Sequence, residues 1–193
     1  MRAVPGVLGS EVARRSHRGS AAHDRTRPAR PRVSQPRVLE PEFRVARSEG
    51  DLASHFALRH EVFVREQGIF DGTDRDERDD SSGTVHLVAS LGVDVVGAVR
   101  LYPLDLAGRT WLGDRLAVAA GSRALQLGAP LVHLAVATAA SKGGQIMYAH
   151  IQLPNVRFFR HLGWRLDGAV ETYAGIDHQP MAIDLPDVAR DTK

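Results

Sequence analysis

Residues 111–144, WLGDRLAVAAGSRALQLGAPLVHLAVATAASKGG, decide how this chain folds. Residues 112–118, LGDRLAV, are mostly apolar at their two ends and long enough for one β-strand. Further along, apolar side chains recur at steps of three and four residues, which predicts a helix with one buried face. These side chains are Leu131, Leu134, Ala135 and Ala139. Gly143 and Gly144 follow them, as is typical of a helix end.

The position of Pro130 sets the start of this predicted helix. Proline is accepted in the first turn of a helix and costs about 3 kcal/mol in its interior. We therefore expect the helix to begin near Leu127 or Gly128, which leaves the amides of residues 125–129 without helical acceptors at the positive end of the helix dipole. Such a junction can bind a pyrophosphate, although an ordinary connection between a strand and a helix has the same pattern.

Charge divides the chain into two parts. Residues 1–40 carry a net charge of +6 from nine arginines and three acidic residues, whereas residues 41–193 carry −4. The basic pI therefore belongs to the first part and is no argument for nucleic-acid binding by the folded part. We expect residues 1–40 to be a disordered Arg/Pro-rich tail and residues 41–188 to form the domain. A dispensable extension, translated upstream sequence, a phosphate- or nucleic-acid-binding arm and a transit peptide remain alternatives for the tail.

Several classes of site are excluded by composition. The chain has no cysteine, so disulfides, thiolate metal sites and a cysteine nucleophile are absent. The spacing of its nine histidines matches no metal motif, and we predict no bound metal. No apolar run reaches the roughly 20 residues that span a bilayer, and no secretory signal opens the chain. The expected location is the cytoplasm.

The remaining elements alternate between strand and helix patterns. Residues 43–46 predict a strand, and Ser48 is the predicted cap of the helix that follows. This helix is expected to end near Gln67 and to have Leu52, Phe56 and Phe63 on its buried face. The acid-rich residues 71–80 are interpreted as a mobile, solvated loop that would attract a cationic or polar amine. Further strands are predicted over residues 85–89, 95–101 and 146–151, a short helix over 156–161, and two strands over 164–185. The order β-α-β-β-β-α-β-α-β-β predicts an α/β fold in which helices flank a mixed central sheet.

Several strings in this order resemble the GNAT superfamily of N-acetyltransferases, and in particular its ElaA-like branch. The acyl-homoserine-lactone synthases share the fold and are similar over the first half, and LGAPLV (127–132) is similar to GNAT proteins described with nitrilase clusters and nitrogen starvation. The likeness covers about residues 43–185. The strings are RHEVFVREQ (59–67) followed by an Asp-rich loop and His86, GAVRL (97–101), Arg123 to Gly128, FFRHLGW (158–164) after Gln152, and YAGIDHQPM (173–181).

The resemblance implies an N-acetyltransferase that moves an acetyl group from acetyl-CoA, its co-substrate, to an amine of a small molecule or peptide. The strand before the turn would bind the pantetheine through its backbone, and the turn and helix start would bind the pyrophosphate. The residues implied in donor binding are Leu116, Ala117, Val118, Arg123, Ala124, Leu125, Gln126, Leu127, Gly128, Ala129, Asn155 and Phe159.

Acetyl transfer needs a group that takes a proton from the amine, and the candidates are Glu66, His86 and His150. Each also has a structural interpretation: Glu66 as a solvated helix end, His86 as a partly buried strand residue, and His150 as a hydrogen-bonded one. Arg100 and Arg115 are expected to pair with the acidic loop rather than with a substrate.

Two residues depart from the family pattern. Gln126 stands where the middle glycine of the Arg-x-x-Gly-x-Gly motif belongs, and Phe159 replaces the tyrosine that protonates the departing thiolate in many members. A phenyl ring cannot donate a proton. Two alternatives therefore stay open: an acyltransferase for longer acyl-CoA or acyl-carrier donors, and a CoA- or metabolite-binding GNAT protein with weak catalysis. Neither nucleic acid nor membrane is expected as a partner, and a homodimer is left open.

Overall fold

A mixed sheet of eight strands forms the centre of the computed structural model, which describes residues 39–186. The strand order is β1-β2-β3-β4-β5-β8-β6, and β7 pairs with β8 outside this path. In the described residues β4 and β5 run parallel, and every other neighbouring pair is antiparallel. The strands are β1 (Pro41–Val45), β2 (Val85–Leu91), β3 (Asp94–Pro103), β4 (Thr110–Val118), β5 (Ile146–Gln152), β6 (Arg165–Leu166), β7 (Glu171–Tyr173) and β8 (Ile176–Asp184).

Three α-helices and several shorter turns connect the strands. The α-helices are α1 (Glu49–His60), α2 (Gly128–Ser141) and α3 (Val156–His161). The chain continues from α1 through a π-helical segment, Glu61–Glu66, and short 3₁₀ turns lie at Glu77–Asp80, Ala120–Leu125 and Leu153–Asn155. This confirms the predicted α/β class, although three strands, rather than two, follow α3.

The starts of the two longer helices agree with the sequence. The hydroxyl of Ser48 accepts from the amide of Asp51 and caps α1. Helix α2 begins at Gly128, so Pro130 lies in its first turn. Its predicted buried face is confirmed, because Leu131, Ala135 and Ala139 pack into the main core.

The buried face of α1 differs from the prediction. His55 and Arg59 are completely buried there, together with Leu58, whereas Leu52 and Phe56 are only partly buried. A hydrophobic periodicity cannot find a buried face that includes an imidazole and a guanidinium, because it counts such side chains as exposed.

The acid-rich segment 71–80 is exposed at eight of its ten residues, as predicted, but two of its acids depart from the predicted solvated loop. Asp74 and Asp79 are buried, and both accept hydrogen bonds from Arg59 at 2.6–2.7 Å. Arg100, also fully buried, donates to Asp76 at 2.6 Å and to Asp114 on β4 at 2.7 Å. The prediction failed because a run of acids was interpreted without the arginines that neutralise it.

Two further predictions concern the ends of the chain and membranes. The predicted tail, residues 1–40, lies outside the described residues except for Leu39 and Glu40, and residues 187–188 of the predicted domain also lie outside them. Within residues 39–186, no helix has the length and apolar character needed to cross a membrane.

Candidate active site

Strands β4 and β5 part after a short parallel stretch. They pair only from Thr110 and Ile146 to Leu112 and Tyr148. Beyond this point residues 113–118 and 149–152 are not paired with each other, and a cleft of about 670 Å³ lies between and around them. Residues 116–118 therefore lie apart from β5.

A β-bulge in β4 accompanies this separation. Two steps on β3, from Ala98 to Arg100, correspond to three steps on β4, from Ala117 to Asp114. Arg115 takes up the extra residue with φ at 54°, a left-handed conformation that is uncommon for any residue but glycine. A bulge bends the strand that carries it, which turns β4 away from β5.

The amide of Val118 points into the cleft. Its neighbour Ala119 donates its amide to Val96 of β3 at 2.9 Å. Successive amides of an extended strand point to opposite edges, so the amide of Val118 points toward the side where β5 has moved away. The cleft-facing edge of β4 thus offers unpaired backbone groups to a ligand.

The turn after β4 has the features of an anion-binding site. No backbone carbonyl of the described residues accepts from the amides of Leu127, Gly128 or Ala129. The amide of Gln126, predicted to be free, instead donates to the carbonyl of Arg123 at 3.1 Å. Three free amides at the start of α2 fit a phosphate group.

Gln126 adopts the backbone conformation for which the motif uses glycine. Its φ and ψ angles are 55° and 35°, in the left-handed region. Gly128, the last glycine of the motif, has a helical backbone, and a Cβ atom there would lie 3.5 Å from the ring of Phe158, an ordinary contact. The packing of the protein alone therefore does not require glycine at position 128.

Six residues that were implied in donor binding line the cleft. They are Leu116, Ala117, Val118, Arg123, Asn155 and Phe159. Residues 124–129 do not line the cleft and instead form the adjoining turn and the first residues of α2.

Arg123 and Glu66 are joined by an ion pair, 2.6 Å from the guanidinium to Oε2. Both side chains line the cleft and are partly exposed. A second polar contact crosses the cleft nearby, from Gln152 of β5 to Gln67 at 3.3 Å. The segment that ends the π-helical turn thus contacts the donor-binding turn as well as β5.

The opposite wall is built from three adjacent strands. His150 pairs with Pro180 of β8, Gln152 pairs with His178, and His178 pairs with Glu171 of β7. Residues directly opposite each other in a sheet share a face, and so do residues two apart on one strand. One face therefore presents polar and aromatic side chains to the cleft. They are His150, Gln152, Glu171, Tyr173 and His178.

The structure brings together two of the three predicted bases. Glu66 and His150 both line the cleft, whereas His86 does not. His86 lies under α1, with its ring nitrogens 3.2 Å from His55 and 3.1 Å from the carbonyl of Asp79. Burial lowers the pKa of His86, as expected of an imidazole in the interior.

Glu171 is a cleft residue that the sequence did not single out. It contacts Nδ1 of His150 from a strand of three residues. The alternation of Glu171 and Tyr173 could have indicated a common face, but so short and exposed a strand gives no reliable periodicity.

The strands of this fold part beside free amides at the start of a helix, and comparisons with known proteins identify the class to which the chain belongs. The sequence profile of the Acetyltransferase (GNAT) family matches residues 45–164. A curated relative, the uncharacterized N-acetyltransferase YjcF of Bacillus subtilis (strain 168), is 30% identical over 141 residues, 72% of this chain and 97% of the relative.

Solved structures share the fold. Escherichia coli ElaA has a TM-score of 0.65 at 21% identity, over 75% of this chain and 99% of its own. The CoA-dependent acyl-homoserine lactone synthase BjaI, solved with SAM and isopentyl-CoA, has a TM-score of 0.61 at 21% identity. The match covers 72% of this chain and 78% of the BjaI chain.

The chain belongs to the GNAT family and is an acyl-CoA-dependent acyltransferase. The resemblance seen in the sequence, including the likeness to ElaA and to the lactone synthases, is thereby confirmed.

Proposed function

We propose that the chain transfers the acetyl group of acetyl-CoA to an amine of a small molecule or peptide. The observation that carries this proposal is the parting of β4 from β5, which leaves the β4 backbone unpaired beside the free amides at the start of α2. In this arrangement the amides of residues 127–129 bind the pyrophosphate and β4 binds the pantetheine arm.

The same backbone supplies the electrophilic contact. The amide of Val118 donates to the thioester carbonyl oxygen and stabilises the negative charge that grows on it during attack. The amine nitrogen then bonds to the carbonyl carbon, the carbon–sulfur bond breaks, and CoA leaves as a thiolate.

Two protons move in this reaction. The amine loses one, and of the predicted bases Glu66 and His150 lie where they can take it, since both line the cleft. The thiolate gains one from water or another cleft group, because Phe159 has no proton to give. His86 is too far under α1 to serve either role directly.

The structure alters the expectation that the acceptor carries a positive charge. The acidic segment was expected to attract a cation, but Asp74 and Asp79 are buried and paired with Arg59. The carboxylates that do face the cleft belong to Glu66, Asp76, Asp114 and Glu171, and each contacts an arginine or histidine. We therefore propose an amine acceptor without assigning it a net positive charge.

A longer acyl group is the second candidate. The cleft continues into the core, where Val99, Val132, Ala135 and Met147, each nearly fully buried, line it. Such an apolar end suits the tail of an acyl chain longer than acetyl. Cytoplasmic location and the absence of nucleic acid as a partner stay predictions.

The test is release of free CoA thiol from a series of straight acyl-CoA donors, with a panel of amines as acceptors and mass spectrometry of the products. Acetyl transfer predicts the highest kcat/KM for acetyl-CoA and an amine product heavier by one acetyl group. A maximum at a longer chain would favour the second candidate. CoA binding without product from any amine would show a binding protein instead.

A further inference from the structure

His150 lies where the acyl group and the acceptor would meet. It is two residues beyond Tyr148, the last β5 residue that pairs with β4, and therefore on the same face as Tyr148. Its side chain is 43% exposed and lines the cleft. Glu171 reaches it across β8 at Pro180, the residue directly opposite His150.

The contact with Glu171 fixes the tautomer of His150. A carboxylate only accepts hydrogen bonds, so the Nδ1 atom that meets Oε1 of Glu171 carries the hydrogen. Nε2 is then the nitrogen with the free electron pair. No hydrogen-bond partner among residues 39–186 contacts Nε2 of His150.

We propose that Glu171 is a positioning residue that holds His150 with Nε2 as the base for the acceptor amine. This proposal rests on the acyl transfer proposed above. As the amine nitrogen bonds to the thioester carbon, its proton moves to Nε2 and the electron pair of the nitrogen–hydrogen bond stays on nitrogen. The imidazolium that forms is stabilised by the Glu171 carboxylate on its other side.

The other candidate groups in the cleft are less suited to this role. Glu66 already accepts a hydrogen bond from Arg123, so that carboxylate oxygen is directed at a guanidinium rather than at an acceptor amine. His178 also has an oriented ring, with Nδ1 2.8 Å from the carbonyl of Ile176. A neutral carbonyl, however, stabilises an imidazolium less than a carboxylate does.

The other charged groups of the cleft do not replace the contact between Glu171 and His150. Its own strand and β8 contribute the neutral Gln152 and Pro180 and the side chain of His178. The charged groups that line the cleft from the other elements are Glu66, Asp76, Arg78, Asp114, Arg115, Arg123 and Glu171. Among them, Glu171 is the one that contacts the imidazole.

The variants that test the proposal are Glu171→Gln, which keeps the shape and removes the charge, and His150→Gln, which removes the base. Asp177→Asn is the matched control, since Asp177 accepts from Thr172 in the same β7–β8 hairpin and does not line the cleft. The measurements are kcat/KM for the best amine across pH, KM for acetyl-CoA, and the ¹⁵N NMR signals of the His150 ring.

We expect His150→Gln to lower kcat/KM by roughly 10²–10⁴-fold and to abolish the loss of rate at low pH, because that loss reflects protonation of the base. Glu171→Gln should lower kcat/KM by roughly 10–100-fold and alter its pH profile, because no carboxylate then faces the imidazolium that forms. The double variant should be no worse than His150→Gln alone. KM for acetyl-CoA should not change, and Asp177→Asn should behave as wild type.

The outcomes separate this proposal from the one on which it rests. If thiol release occurs but Glu171→Gln keeps the wild-type rate and pH profile, or if the ¹⁵N signals place the hydrogen on Nε2, the role of Glu171 is overturned and the acyltransferase stands. If wild type transfers no acyl group to any amine although the ¹⁵N signals show hydrogen on Nδ1, the pair exists but both proposed functions fail.

Discussion

Arg123 donates to Glu66 at 2.6 Å, so one ion pair at the cleft joins the turn after β4 to the end of the π-helical segment. The sequence assigned the two residues separate roles, Arg123 in binding phosphate and Glu66 as a base. A CoA phosphate that takes the guanidinium must compete with the carboxylate, and donor binding would then release Glu66 toward the acceptor.

The first prediction follows from this competition. Glu66→Gln should tighten CoA binding by about two- to fivefold, because an exposed ion pair is worth at most about 1 kcal/mol. Arg123→Ala should weaken it by roughly 1–2 kcal/mol, the value of one charge-assisted contact. Calorimetric titration with CoA measures both. Glu61→Gln, which removes the solvent-side pair with Arg65 in the same segment, is the control. Weaker binding by Glu66→Gln would mean that Glu66 supports the donor site.

Gln126 gives the second prediction. Its left-handed backbone costs about 1 kcal/mol in a residue with a Cβ atom, and glycine removes that cost while losing part of the gain to greater freedom in the unfolded chain. Gln126→Gly should therefore raise the melting temperature slightly and leave CoA affinity equal or tighter. Gln126→Ala keeps the Cβ atom and should show no such gain. If the glycine variant melts below the alanine variant, the assigned conformation is wrong.

The sequence was sufficient for the parts of the fold that depend on local rules. Pro130 located the start of α2 because proline has one favourable place near a helix. Ser48 located α1 through its capping hydrogen bond. The parting of β4 from β5 has no such local rule, since no signal in residues 112–118 shows which neighbouring strand is lost.

The features that the sequence missed depend on partners far apart in the chain. Arg59 meets Asp79 across 20 residues and Arg100 meets Asp114 across 14, so neither the buried face of α1 nor the burial of Asp74 and Asp79 can be derived from spacing. Glu171 was missed for the same reason, because its contact is with His150, 21 residues earlier on another strand.

The buried ion pairs give the third prediction. Asp79→Asn should destabilise the domain by about 3 kcal/mol or more, because it removes a buried negative charge that pairs with both Arg59 and Arg100 and leaves the two guanidiniums short of one carboxylate. Asp80→Asn, one residue along, removes only an exposed pair with Arg75 and should change stability by less than about 0.5 kcal/mol. Urea unfolding of the two variants measures the difference. Equal midpoints would contradict the burial of Asp79.

The fourth prediction concerns pH. Burial, with a smaller effect from His86, lowers the pKa of His55 to about 3. The unfolded chain binds a proton at this residue below about pH 6.5 and the folded chain does not, so the free energy of unfolding should decrease as pH falls from 6.5 to 4. One such group contributes about 1.4 kcal/mol for each pH unit.

Denaturant unfolding at several pH values checks this slope. His55→Gln should be less stable at pH 7 but show a flatter dependence between pH 6.5 and 4. His133→Gln, which replaces an exposed histidine on α2, should keep the wild-type slope. Burial alone would raise the pKa of Asp79, but its hydrogen bond and charge pairing with Arg59 hold this pKa well below its usual range. Protonation of Asp79 should therefore lower the free energy of unfolding only below about pH 4. An unchanged slope in His55→Gln would contradict the buried neutral imidazole.

We propose that an acyl-CoA donor binds at the start of α2. Calorimetric titration of wild type and Gly128→Glu with CoA tests this proposal most directly. The backbone of Gly128 is helical and open space surrounds it apart from Phe158, so the variant should unfold near the wild-type temperature. Gly121→Ala is the control for the turn, because the Cβ atom that it adds would have no neighbouring atom within 4 Å. Wild type and Gly121→Ala should bind CoA saturably with one-to-one stoichiometry. Folded Gly128→Glu should not bind CoA, because its carboxylate would occupy the phosphate site and repel the phosphate. Absence of binding by wild type at millimolar CoA, or wild-type affinity in Gly128→Glu, would contradict it.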